Sequence, residues 1–474
     1  MKYDLVLINP SYKKVYGFKE DISSKLPPLG LMYLSSYLKM NGYKVKIIDL
    51  EVDDESELKR ILNDSQVFGI TSVTSTFPQA RKIAKKIKQY NEESIVILGG
   101  PHASVCGKDI IEICREIDVV VCGEGELVLK KLLEQEFKNL NNIDGIIYRC
   151  RDDTKIVLKQ VNLNFVNIDI LPFPDHFGID YSKYRPSIHR NVGFPFAVMI
   201  TSRGCPFSCK YCGTQTIFGK SVRFRSVENV IEEVEHLIDN FKVQNIIFWD
   251  DTFTLNKQYV VELCYSLKKY NLAWSCNTRP DYIGKEILKK MKDAGCKIIF
   301  YGVESSNDKI LGKLGRNMDI NSIENAIKIT KEIGIRCTAS IMIGTPFDTK
   351  EQIEKNIEFM IKLDPDFAFF SPFAPHPGTP IYNFCVEKNI IPPWKEWLKI
   401  NFKGVPLNHP VANKHLTRKE IQHYLEKAYN KFYSRKEFFK ERKKWKEDWE
   451  IKILEHLRKK FQRVKNEEEN SRTR

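Results

Sequence analysis

The sequence predicts an α/β chain: a doubly wound, Rossmann-like parallel sheet, then six βα units forming a partial barrel of the TIM type, then a helical C-terminal tail. Three observations carry this. Short apolar strand patterns alternate with amphipathic helical patterns over residues 1–140 and again over 194–395, and such alternation builds parallel sheets. Between the two regions, residues 141–193 include Leu171-Pro172-Phe173-Pro174-Asp175, whose paired prolines exclude a regular helix or central strand. Beyond 396 the pattern turns helical and lysine-rich.

The elements of the first region follow in order. Tyr3–Ile8, Lys44–Ile48, Val67–Thr71, Ile95–Leu98 and Val119–Val121 read as strands. Helical patterns cover Pro28–Met40, the stretch from Pro78, and the stretch after Glu126. Ligands on such sheets bind beyond the carboxyl ends of the strands. That selects the loops Ser72-Val73-Thr74-Ser75-Thr76, Gly99-Gly100-Pro101-His102 and Cys122-Gly123-Glu124. The first strand is not followed by G-x-G-x-x-G, which argues against a dinucleotide. In the 141–193 linker, Asp144–Cys150 and Lys155–Lys159 suit a hairpin, and Tyr181 to Pro186 adds aromatics that suit ordinary packing or the lining of a gap between two bound ligands.

In the central region six strand patterns appear: Phe196–Ile200, Asn245–Trp249, Ala273–Asn277, Ile298–Val303, Cys337–Ile343 and Phe367–Ser371. Amphipathic segments separate them at Val227–Phe241, Lys257–Tyr270, Lys285–Ala294, Ile320–Ile333 and Lys350–Leu363. Barrel chemistry belongs at strand carboxyl ends. There stand Asp250 and Asp251, Arg279, Glu304 and Gly344. Acidic side chains suit an ammonium group, and an arginine fork suits a carboxylate.

Cys205, Cys209 and Cys212 lie on a loop directly after the first barrel strand, with no fourth cysteine nearby. Soft thiolates select iron–sulfur clusters or zinc, and three of them leave one iron of a cluster open. Zinc motifs usually pair Cys-x-x-Cys units, so the lone trio argues against a structural zinc loop. The spacing, with Tyr211 before the last cysteine, resembles the signature of the radical S-adenosylmethionine (SAM) superfamily. That resemblance implies a four-iron four-sulfur cluster on the three cysteines. SAM would chelate the open iron and be cleaved to a 5′-deoxyadenosyl radical. It also implies SAM contacts at Tyr211, Asp250, Asp251, Arg279, Glu304 and Gly344.

The first region resembles the cobalamin-binding domain that precedes the barrel in many radical SAM enzymes. Pro27-Pro28-Leu29-Gly30-Leu31, Gly69-Ile70-Thr71-Ser72 and Gly99-Gly100-Pro101-His102 carry that likeness. It implies cobalamin contacts at Ser72, Thr74, Ser75, Gly99, Gly100, Pro101, His102, Gly123 and Glu124. The loop after the first strand, Asn9-Pro10-Ser11-Tyr12, lacks the cobalt-ligating histidine of the cobalamin mutases. His102 is expected to pack beside the corrin or cap a turn rather than ligate cobalt. The Pro377-Gly378-Thr379-Pro380 turn resembles one in the same subgroup.

Together these resemblances imply a cobalamin-dependent radical SAM enzyme that methylates an unactivated carbon through methylcobalamin. The alternative is rearrangement, ring formation or carbon–carbon coupling on the same architecture, with or without cobalamin. An RNA-modifying methylthiotransferase is a remoter reading, since Cys106, Cys114 and Cys122 lack that family's arrangement. The substrate, as a small molecule, lipid or peptide, is left open, and a one-electron donor such as flavodoxin or ferredoxin is implied.

Composition sets the remaining limits. The chain has 474 residues, 42% hydrophobic and 29% charged, as in a globular protein of two or three domains. Met1 to Pro10 reads as a strand carrying an acid rather than a signal peptide, and twelve cysteines without one point to a reducing cytoplasm. Net charge is +14, but residues 431–474 hold 16 Lys and Arg against 9 Asp and Glu, so half the excess is local to the tail. A nucleic-acid partner is therefore not expected. Phe438, Trp445, Trp449, Ile453, Leu457 and Phe461 recur at helical spacing among lysines, which suits a helix packed on the barrel or, second, peripheral contact with a membrane surface.

Overall fold

Strand β1 (Leu5–Asn9) begins with four residues that are at most 1% exposed, so both its faces are covered, as in the middle of a parallel sheet. In the computed structural model it pairs in parallel with β2 (Val45–Asp49) and β3 (Val67–Thr71), followed by β4 (Ile95–Gly99) and β5 (Val119–Val121). The structure describes residues 1–12, 24–150, 156–158, 167–399, 409–442 and five positions between 451 and 457. Helices α1 (Leu29–Met40), α2 (Glu55–Ile61), α3 (Phe77–Tyr90), α4 (Pro101–Ile113) and α5 (Glu126–Glu134) connect the strands. The strand order 2-1-3-4-5 is a doubly wound one, with its switch point between β1 and β3. The 141–193 stretch contributes β6 (Ile146–Arg149) and β7 (Ile156–Leu158), which pair antiparallel and extend this sheet past β5. The turn between them lies outside the described residues.

The chain then runs through β8 (Phe196–Met199), β9 (Ser202–Arg203), α6 (Thr214–Phe218) and β10 (Arg223–Phe224). Next come α7 (Val227–Phe241), β11 (Asn245–Phe248), α8 (Lys257–Leu267), β12 (Ala273–Thr278), α9 (Lys285–Asp293) and β13 (Cys296–Glu304). They are followed by α10 (Asp308–Lys313), α11 (Ile320–Ile333), β14 (Arg336–Ile343), α12 (Lys350–Leu363) and β15 (Phe367–Pro372). β8 and β11 to β15 form one parallel sheet in which each strand lies beside its predecessor, the wall of a partial barrel. One face is covered by helices: Tyr301, fully buried, bonds Thr330 of α11 at 2.8 Å. α11 starts on an Asp319 cap and stops at Gly334, whose positive φ supplies the left-handed residue such ends need.

By packing, the chain divides into two compact units. One comprises Met1–Arg185, Ser202–Asn229 and Pro375–Pro410, and the other Pro186–Thr201, Val230–Ala374 and Val411–Arg474. The cysteine loop thus belongs with the first sheet. So do α13 (Pro380–Glu387) and α14 (Trp394–Trp397), whose Trp394 donates to Asp109 of α4 at 2.8 Å. Tyr181 and Tyr184 also pack there, against His176 and Asp49 respectively.

The tail adds α15 (Arg418–Tyr433) and α16 (Lys436–Glu441) to the second unit. α15 opens on the Thr417–Glu420 capping box. β15 is the edge of its sheet, and two tyrosines of α15 bond that edge. The Tyr429 hydroxyl donates to the Phe370 carbonyl at 3.0 Å and accepts from its N–H at 3.2 Å. Tyr433 does the same at Ala368, at 2.9 and 3.0 Å. Phe438 is fully buried against Phe432 and Tyr433, so it packs rather than facing outward. The helix expected to run on from Thr417 breaks between α15 and α16, and Trp445, Trp449, Ile453 and Phe461 lie outside the described residues. No helix among the described residues is long and apolar enough to cross a membrane.

Candidate active site

The loops at the carboxyl ends of β3 and β4 interlock. The Ser72 N–H donates to the Gly99 carbonyl at 2.9 Å and the His102 N–H to the Ser72 carbonyl at 3.0 Å. Gly100 has φ +90°, and a Cβ there would meet Thr71 Oγ1 and the Ser72 backbone at 2.7–2.9 Å. Only glycine fits. Beside Gly99, by contrast, a Cβ would meet nothing within 4 Å, so that surface stands open to a ligand. α4 starts immediately at Pro101, so Pro101 and His102, expected in a loop, are its first helical residues. His102 sits in its first turn, buried, its Nδ1 3.2 Å from Thr74 Oγ1 and its ring against Phe77 and Trp394. Burial, with His376 adding to it, pushes its pKa down to about 3, so the ring is neutral, and its Nε2 has no partner among the described residues. An open glycine surface, Ser72, Thr74 and Ser75, and an orphaned imidazole nitrogen together fit a large polar ligand such as the cobalamin tail.

The cysteine loop is tied to this sheet by buried ion pairs. Arg203, two residues before Cys205, donates to Glu124 at 2.9 Å and to Glu126 at 2.8 Å. Arg223, on the partner strand β10, donates to both oxygens of Glu124, at 2.7 and 3.0 Å. Burial pushes the Glu124 carboxyl up, but the two guanidiniums outweigh it and hold the group below the usual carboxylate range. Sequence reasoning placed Glu124 on cobalamin. The structure shows both its oxygens engaged by the arginines that bracket the cysteine loop. Gly204 has φ +99°, and a Cβ there would lie 2.4 Å from the Ser221 carbonyl. Further on, Gln215 bonds the Phe207 carbonyl at 2.6 Å, and the Ile381 N–H donates to the Lys210 carbonyl at 3.0 Å. The turn at Gly378 packs on Val105 of α4, close enough that a Cβ would collide. It therefore braces the first unit.

Cys205, Cys209, Cys212 and Tyr211 are all partly exposed, whereas eight of the other nine cysteines are buried. None of the twelve forms a disulfide. Three accessible thiols on one restrained loop suit a cluster. Cys106, Cys114 and Cys122 are buried in or beside α4 and β5, with their thiols pushed up by burial.

The second unit holds the strand-end residues. Asp250 is buried and accepts from the Thr201 N–H at 3.0 Å and its hydroxyl at 2.9 Å, pinning the end of β8, while Asp251 is exposed. Arg279 forms a fork with Asp281, at 2.9 and 2.7 Å. Glu304 has φ +70°, a strained backbone for a glutamate, where the β13–β14 register shifts. Gly344 has φ +87°, and a Cβ there would meet Ile421 of α15 at 2.7 Å. Its N–H and that of Thr345 donate to buried Asp348, at 3.0 and 2.9 Å. Asp348 was not singled out in the sequence, though a carboxylate four residues past a glycine turn is the available signal.

Residues 199–360 match the radical SAM superfamily and residues 19–133 match the B12 binding domain. The chain belongs to the cobalamin-binding radical SAM family. An uncharacterized methyltransferase of Pyrococcus horikoshii, PH0819, is 34% identical, over 88% of this chain and 90% of that protein. The anaerobic magnesium-protoporphyrin IX monomethyl ester cyclase of Cereibacter sphaeroides is 27% identical, over 92% of this chain and 71% of its own. Among solved structures, the radical SAM methyltransferase TsrM of Kitasatospora setae superposes with TM-score 0.65 at 20% identity, over 81% of this chain and 76% of that one. That shows a shared fold. The family's cofactors are a four-iron four-sulfur cluster, SAM and cobalamin, and its members act on small-molecule substrates with an electron donor.

Proposed function

We propose that the protein transfers a methyl group to an unactivated carbon of a small-molecule substrate. The observation that carries this is the buried network of Glu124 and Glu126 with Arg203 and Arg223. It makes the three-cysteine loop and the candidate corrin surface parts of one unit, as an enzyme using both cofactors in one reaction needs. Cys205, Cys209 and Cys212 would hold the cluster. Ser72, Thr74, Ser75, Gly99, Gly100, Pro101, His102 and Gly123 would line the cobalamin site, with Glu124 as the anchor of the cysteine loop. Tyr211, Asp251, Glu304 and Gly344 would contact SAM, with Asp250 and the Arg279–Asp281 fork fixing the strand ends that present them. When bound, these cofactors supply hydrogen abstraction and a transferable methyl group, and the protein supplies position and exclusion of water.

The test uses anaerobic protein with rebuilt cluster and added cobalamin, given SAM and a reductant such as flavodoxin or ferredoxin. Bound corrin with both 5′-deoxyadenosine and S-adenosylhomocysteine supports the reading. Deoxyadenosine alone supports the second reading, rearrangement, ring formation or carbon–carbon coupling, of which the likeness to a cyclase favours ring formation.

A further inference from the structure

The helix-free face of the six-stranded sheet carries a half-buried cation with no anionic partner among the described residues. Residues 187–190 enter from the stretch before β8, and their carbonyls are held on this face: His189 by the Thr338 hydroxyl at 2.9 Å, Arg190 by the Ser275 hydroxyl at 3.3 Å. The Arg190 side chain then lies along the inner face. Its guanidinium carbon is 3.9 Å from the Phe300 ring centroid and 4.6 Å from that of Trp249. Its Nε donates to Asn277 Oδ1 at 3.1 Å. No carboxylate of the described residues pairs with it, whereas two other interior arginines of this unit, Arg279 and Arg442, each meet an aspartate. Burial alone pushes Arg190 down to about 9. A guanidinium so placed stays charged and keeps its two terminal nitrogens as a fork for an oxyanion.

The surroundings say what kind of molecule brings that oxyanion. Side chains alternate along a strand, so Phe300, Gly302 and Glu304 share the inner face, and all three remain partly exposed. Phe369 of β15, also partly exposed, has its ring 6.0 Å from that of Phe300. The lining around Arg190 is aromatic. Phe300 precedes Glu304 by four residues, about 13 Å of strand. At the end of β11 the cation stacks on Trp249, two residues before Asp251, so it lies directly beneath the strand-end residues assigned above to SAM.

We propose that Arg190, clamped by Trp249 and Phe300 and aligned by Asn277, binds the acidic group of the substrate, and that the substrate is a carboxylic acid with a flat apolar body. This rests on the methylase reading only in leaving the strand ends to SAM.

The test is thermal unfolding of the reconstituted full chain with SAM present, titrated with sodium benzoate or inorganic phosphate at constant ionic strength. Benzoate should raise the midpoint saturably and more than phosphate. Arg190→Gln should abolish the rise. Asn277→Asp, which gives the guanidinium an internal carboxylate, should unfold at a higher temperature than wild type and also lose the benzoate response. That variant keeps the test open if Arg190→Gln folds poorly. A benzoate response that survives both substitutions overturns the proposal, and so does a response to phosphate alone. SAM affinity by equilibrium dialysis should be unchanged in Arg190→Gln. A loss of roughly tenfold or more with the benzoate response intact would assign Arg190 to SAM and also overturn it. Failure of the methylase reading would instead show as missing S-adenosylhomocysteine with the benzoate response preserved.

Discussion

Replacing Glu124 with glutamine removes one charge from the network that holds the cysteine loop and leaves its volume unchanged. Three arginine contacts at 2.7–3.0 Å lose their ionic partner. Arg203 keeps Glu126 at 2.8 Å, so Arg223 bears most of the loss. The side chains of Arg203, Arg223 and Glu124 are only 9%, 16% and 9% exposed, so solvent screens them poorly. Breaking one partner of a buried pair costs about 3–5 kcal/mol, and the retained Glu126 contact puts Glu124→Gln at the lower end, about 3 kcal/mol. Urea unfolding of the anaerobic protein should show the loss. Iron and sulfide per chain after reconstitution should fall with it, because the cysteines sit two to nine residues past Arg203. Glu57→Gln, at an exposed pair with Arg60, is the control and should change neither. Stability within about 0.5 kcal/mol of wild type together with full iron content would refute the anchoring argument. Loss of cobalamin binding alone would return Glu124 to the corrin site.

Gly204→Ala should prevent cluster assembly while leaving the helical circular dichroism in place, because its Cβ would lie 2.4 Å from the Ser221 carbonyl at a positive φ next to Cys205. Tyr429→Phe and Tyr433→Phe should each cost about 2 kcal/mol in urea unfolding, since each strands a buried N–H and carbonyl of β15. Their double variant should aggregate sooner on heating, measured by light scattering. Burial raises the Asp348 carboxyl to about 6 against the bonds from Thr345 and Gly344, above its unfolded value, so the folded state holds a proton that the unfolded state releases. Stability of apo wild type relative to Asp348→Asn should therefore fall by about 2 kcal/mol as pH rises from 4 to 6.5 and level off above that. A flat difference across that range would count against the raised value.

Both parallel sheets could be read from the sequence because their strands are short, apolar and separated by well-marked amphipathic helices. Val67–Thr71 and Val119–Val121 keep the bounds expected of them, and the barrel strands shift by a residue or two at their ends. α4 was hidden by Gly99 and Gly100, although Pro101 behind them is a good first helical residue. The hairpin partners Ile146–Arg149 and Ile156–Leu158 were legible as a pair, but their attachment to β5 depends on tertiary pairing that no local pattern encodes. The same holds for function. Three cysteines at fixed spacing announce a cluster. Glu124 meets arginines 79 and 99 residues away, and Arg190 lies in a stretch with no motif at all.

The tyrosine pair on α15 has a geometric basis. Four helical residues advance about 6 Å and two strand residues about 6.6 Å. Hydroxyls one helical turn apart therefore keep step with alternate peptide groups of a strand, but only briefly, since the mismatch grows with each turn. Two rungs are about as many as such a ladder can hold. A helix can thus stand in for a missing seventh strand while offering no edge of its own for further pairing. The substitute ends the sheet as well as completing it, and it asks of the tail only two phenols at the right spacing, leaving its other positions free to diverge.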